Sequence, residues 1–105
     1  MDFEKEARKN HRRGMSCAGA VYQAFYDVNP KKTGAPSPRS EGGKCGAVLA
    51  AEKTLREMGI NRIEDFDQQF TEIFGSLKCS ELLGKRDGSC NDFVGISAAI
   101  VEKMI

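Results

Sequence analysis

Four cysteines, Cys17, Cys45, Cys79 and Cys90, carry the reactive chemistry of this sequence. The thiolate is the form in which cysteine attacks an electrophile or binds a metal. None of the four belongs to a Cys-x-x-Cys pair, so neither a local dithiol motif nor a zinc knuckle is present. What they share is placement at the start of a helical pattern. The clearest case is Gly42-Gly43-Lys44-Cys45-Gly46-Ala47, where a glycine pair hands over to a run of helix formers. The N–H groups of a first helical turn lack partners inside the helix and favour an adjacent anion. Cys45 is therefore expected to be an acidic, reactive and partly accessible thiol, helped by Lys44. Gly46 and Ala47 leave room for another segment or a bound atom to approach. The plainer alternative is a linker followed by a small buried residue.

The elements that must position these thiols are helices. A charged first helix spans about residues 1–14, with Gly14 as its stop. Its basic run from Arg8 to Arg13 reads as a solvated face, and His11, the single histidine, as a surface imidazole. Ser16 is an N-cap residue for a second helix from Cys17 to about Asp27, with the stripe Cys17, Val21, Ala24/Phe25 and Val28. Asn29-Pro30 ends it. Residues 29–44 form a long loop holding all three prolines, either a functional lid or a disordered segment. A further helix follows from Lys44 to Met58, with Gly59 as its stop and the stripe Cys45, Val48, Ala51, Leu55 and Met58. The next runs from Ile63 or Glu64 to Ser76 and places Phe66, Phe70, Ile73/Phe74 and Leu77 on one face. Cys79 opens a short turn of helix over Ser80 to Leu83. Cys90 begins the last stripe, with Val94, Ala98 (or Ser97), Val101 and Ile105. No run alternates β-branched and polar residues as a strand would. The expected fold is all-α, a compact single-domain bundle of four to five helices spanning residues 1–105.

Bulk properties narrow the function. The chain has 105 residues, 40% hydrophobic and 30% charged, which suits one globular domain. A net charge of +1 gives no global attraction to nucleic acid or to an acidic membrane, so neither is expected as a partner. No apolar run can span a bilayer, and the first residues have no signal-peptide core, so a cytoplasmic location is expected. In that reducing compartment four cysteines point to redox or metal chemistry before a disulfide framework. If the helix starts converge, they form a positive pocket lined with thiols.

Cys45-Gly46-Ala47-Val48-Leu49-Ala50 resembles the Cys-Gly-Ala-x-x-Gly signature of the redox-active family known by its C-GCAxxG-C-C pattern. Cys17 matches the upstream cysteine of that pattern, and Cys79 and Cys90 the two downstream ones. The one departure is Ala50 in place of glycine, small for small. The resemblance covers about residues 14–105 and implies a bacterial or archaeal cytoplasmic protein with a redox role.

Three readings follow from the residues. The first is a thiol redox protein acting with a redox partner protein. Cys45 would be its attacking thiolate, and a second cysteine would resolve the mixed disulfide. Pairing Cys17 with Cys45 and Cys79 with Cys90 is favoured, though four cysteines allow three pairings. The second is a site where Cys17, Cys45, Cys79 and Cys90 bind zinc or an iron–sulfur cluster. The third is a helical interaction module whose cysteines only pack.

Overall fold

Ser16, Gly59 and Gly75 punctuate the chain. In the computed structural model, which describes residues 2–31, 33–34, 45–77 and 90–105, each sits at a helix boundary. Ser16 caps α2 (Cys17–Ala24), its Oγ accepting the Gly19 N–H at 3.0 Å. Gly59 and Gly75 follow α3 (Gly46–Glu57) and α4 (Ile63–Phe74) at φ 74° and 85°. Only glycine enters that left-handed region without strain. The set is completed by α1 (Phe3–Arg12) and α5 (Cys90–Glu102). The fold is an all-α bundle, with no strand among the described residues.

The central helix is α3. Ala47, Val48, Leu49, Ala50, Ala51 and Leu55 are fully buried, and even Glu52 and Thr54 have no exposed surface to speak of. Its small residues let α2, α4 and α5 pack against it. Aromatic groups fill the two flanks. Phe3 stacks on Phe25 with centroids 4.4 Å apart. Phe70 and Phe74 meet Phe93, the latter edge to face at 4.9 Å. Burying such rings contributes on the order of 2–3 kcal/mol each.

Several expectations change in detail. The second helix ends at Ala24 and not near Asp27, and Val28 is exposed. Of Ile73 and Phe74, it is Phe74 that faces the core. Ile105 is exposed, while Phe93 joins the core from outside the expected stripe. The first helix is not simply a solvated one. Phe3, Ala7 and Asn10 are buried, and it packs on both α2 and α5. Residues 35–44 of the long loop and the short turn over residues 80–83 lie outside the described residues.

The directions of the helices follow from their contacts. The start of α2 meets the start of α3, because a Cβ added at Gly46 would lie 3.2 Å from Ala18 N. Further along, Tyr22 of α2 bonds Glu57 at the end of α3. The two helices thus run in the same direction. A parallel pair needs a return path as long as the helix, about 18 Å for α3 at 1.5 Å per residue. A tight turn cannot supply it, which accounts for the length of the connection. By contrast α1 and α5 are antiparallel. Phe3 N–H bonds Glu102 at the far end of α5, and Arg8 reaches Asn91 and Asp92 at its start.

Candidate thiol site

The three described cysteines lie at three helix starts, and those starts share one end of the bundle. Cys17 is the first residue of α2, Cys45 the N-cap of α3 and Cys90 the first residue of α5. The close approach expected at Gly46 is present. The segment that comes close is Cys17-Ala18, with Cys17 Cβ 3.6 Å from the position a Gly46 Cβ would take. Any larger residue at 46 would push against the Ala18 backbone. The Cys45 N–H bonds the Leu77 carbonyl at 2.8 Å, which ties the start of α3 to the end of the segment after α4. Cys79 lies two residues beyond Leu77, outside the described residues.

Accessibility separates the thiols. Cys45 is 3% exposed and belongs to the core cluster, whereas Cys17 and Cys90 are half-buried. The partly accessible Cys45 sulfur expected from the preceding glycines is thus corrected. Packing of α2 against Gly46 closes that side. Nor does the Cys45 side chain cap its helix. No disulfide joins Cys17, Cys45 and Cys90 to one another. Among the described residues, no three His, Cys, Asp or Glu side chains are grouped as metal ligands.

His11, expected to be a surface imidazole, is instead half-buried against Cys17. Its Nε2 lies 3.8 Å from Cys17 Sγ. Its Nδ1 lies 3.3 Å from Asn91 Nδ2. Asn91 is held in one orientation by Arg8. The guanidinium Nη1 donates to Asn91 Oδ1 at 3.2 Å, and Asn91 Nδ2 donates to the Arg8 carbonyl at 3.1 Å. A guanidinium only donates and a carbonyl only accepts, so the amide has one orientation that fits both. Asn91 therefore offers an N–H to His11 Nδ1. With Nδ1 accepting, the imidazole proton is on Nε2, the nitrogen that faces Cys17.

Arg8 is itself fixed. Its Nη2 pairs with Glu4 and its Nη1 with Asp92, both at 3.0 Å. Burial alone would lower its pKa, but the hydrogen bonds it donates to Asp92 and Glu4, with their negative charges, outweigh this and raise it. Its guanidinium lies directly on Gly95 of α5, where a Cβ would fall 2.1 Å from Nε. The order of dependence runs from Gly95 through Arg8 and Asn91 to His11 and then Cys17.

A second polar cluster occupies the other end of α3. Glu57 is 8% exposed, and its carboxylate accepts from Tyr22 Oη at 2.5 Å, from Asn29 Nδ2 at 2.8 Å and from Thr33 Oγ1. Burial pushes this carboxyl up, but the bonds from Thr33, Tyr22 and Asn29 together prevail and hold it down at about 2. Burial and the neighbouring Glu57 raise the Tyr22 hydroxyl. Gly34 N–H bonds Tyr22 Oη, and Lys53 Nζ bonds the Gly34 carbonyl at 2.6 Å. These contacts pin Asn29, Thr33 and Gly34 to the bundle.

No family model matches the chain, and no curated protein and no solved structure matches it either.

Proposed function

We propose that the protein is a thiol redox protein that exchanges its dithiol with the disulfide of a partner protein. The observation that carries this reading is the meeting of three cysteine-bearing helix starts, with Cys17 beside Gly46 and His11 joining Cys17 to the residue after Cys90. In the exchange, one protein thiolate attacks a sulfur of the partner disulfide. A protein–partner S–S bond forms, the partner's own S–S bond breaks, and the released thiolate takes a proton from water. A second protein thiolate then attacks the mixed disulfide and expels the other partner thiol. The partner disulfide is reduced to two thiols, and the protein dithiol is oxidised to a disulfide. The proximity of Cys17 to the start of α3 supports Cys17 with Cys45 as the exchanging pair.

A reducing cytoplasm suits this reading, since it would return the thiols to the attacking form. Among the described residues no helix is long and apolar enough to cross a membrane. The four cysteines and their resemblance to the C-GCAxxG-C-C pattern support the same role.

The test is thiol titration with intact-mass measurement, before and after oxidised glutathione is added to the reduced protein. Loss of two thiols per chain, with the mass falling by two hydrogens and a Cys17–Cys45 peptide link, is expected. Retention of all four thiols at equilibrium with excess oxidant would end the proposal.

A further inference from the structure

We infer that Cys17 is the attacking sulfur and His11 its catalytic hydrogen-bond donor, with Asn91 and Arg8 as positioning residues. The inference rests on the thiol-exchange reading and assigns roles within it.

Geometry separates Cys17 from Cys45. An attacking sulfur must be reached by a partner disulfide, and Cys17 is half-buried where Cys45 is 3% exposed. A resolving sulfur needs only to reach its neighbour, so burial suits Cys45 to that second role. Cys17 also has a polar group aimed at its sulfur, the His11 Nε2 at 3.8 Å. An N–H directed at sulfur stabilises the charged thiolate more than the neutral thiol.

The tautomer decides what His11 does. A general base would need a bare Nε2, with its proton on Nδ1. Nδ1 instead receives the Asn91 N–H, whose orientation Arg8 sets from both sides. His11 is therefore a donor to the thiolate and not the acceptor of the thiol proton. That proton leaves to solvent. The Cys17 thiolate then attacks the partner sulfur, and the leaving thiolate is protonated from water. His11 keeps its Nε2 proton throughout. The roles differ from those in a cysteine–histidine ion pair, where the ring takes the thiol proton.

The experiment measures iodoacetamide alkylation of the reduced full chain at neutral pH, resolved by mass spectrometry at each cysteine. It involves no disulfide exchange, so it can fail independently of the proposed function. Cys17 is expected to react ahead of the other three. His11→Ala should slow Cys17 about three- to tenfold, the span of one hydrogen bond of ordinary net strength. His11→Gln carries an N–H donor but cannot act as a base, so it should restore at least half of the rate. Asn91→Ala should slow Cys17 to a similar degree as His11→Ala. The buried Cys45 serves as an internal control. A variant that merely loosens the fold speeds Cys45, whereas loss of the donor slows Cys17 alone. Any other cysteine reacting ahead of Cys17 overturns the inference. So does an unchanged Cys17 rate in His11→Ala, or a His11→Gln variant as slow as His11→Ala.

Discussion

The two ends of α3 carry polar clusters built on opposite principles. At its end, Glu57 accepts from three side chains that are buried or pinned against the bundle. At its start, the chain of contacts from Arg8 through Asn91 to His11 finishes on a half-buried thiol, with one long N–H···S contact. The first cluster is closed upon itself and holds the fold. The second ends on a sulfur that is only half-buried. Buried carboxylates are tolerated when their oxygens are saturated, and saturation leaves nothing for a substrate. The difference puts a half-buried thiol at one end of the helix and a saturated, anchoring carboxylate at the other.

The comparison is broken most severely at Glu57. Glu57→Ala strands Tyr22, Asn29 and Thr33 and should cost about 3 kcal/mol in urea denaturation, since buried groups left without partners carry their full desolvation penalty. Cys17 alkylation in the folded fraction should not change. Acid should reproduce part of this loss. Glu57 has its ordinary carboxyl value of 4.5 in the unfolded chain and about 2 when folded. A depressed folded value means stability that is fully present above 4.5 and is lost as pH falls toward 2. Thermal melts across that window should show a steeper fall for the native chain than for Glu57→Gln.

A smaller effect is expected at the junction of the two helix starts. Gly46→Ala places a methyl 3.2 Å from backbone that cannot swing aside, and should cost about 1–2 kcal/mol. It should also slow formation of a Cys17–Cys45 disulfide, which quenched oxidation time courses would reveal. Gly95→Ala should have the smallest effect on stability, within about 1 kcal/mol of native, because alanine favours the helix while Arg8 gives up its bonds. Yet it displaces Arg8 and should slow Cys17 alkylation. A native Cys17 rate in Gly95→Ala would sever Arg8 from the thiol site.

The helices were legible because their signals are local. Ser16 and the glycines at 59 and 75 act within a turn of where they stand, and the phenylalanines of α4 repeat at helical spacing. The gathering of helix starts was legible through the shared placement of the cysteines. His11 was not, because its orienting partner is 80 residues away and no periodicity links them. A usable signal did exist in the spacing of Arg8 and His11, which share one face of α1. Glu57 was hidden for a related reason. A glutamate near a helix end reads as solvated until Tyr22 and Asn29 are brought onto it by the parallel packing of α2. The accessibility of Cys45 was misjudged because Gly46, which would admit solvent in an open chain, admits α2 in the folded one.

The contact between His11 and Asn91 has a consequence for how the protein is made. It closes a loop of 80 residues, so it forms only after α5 has left the ribosome and docked on α1. Until then Cys17 emerges with α2 as an ordinary cysteine, without an oriented donor. On the roles inferred above, the donor is oriented toward Cys17 only once α5 packs on α1, which ties the state of this sulfur to the formation of the tertiary fold.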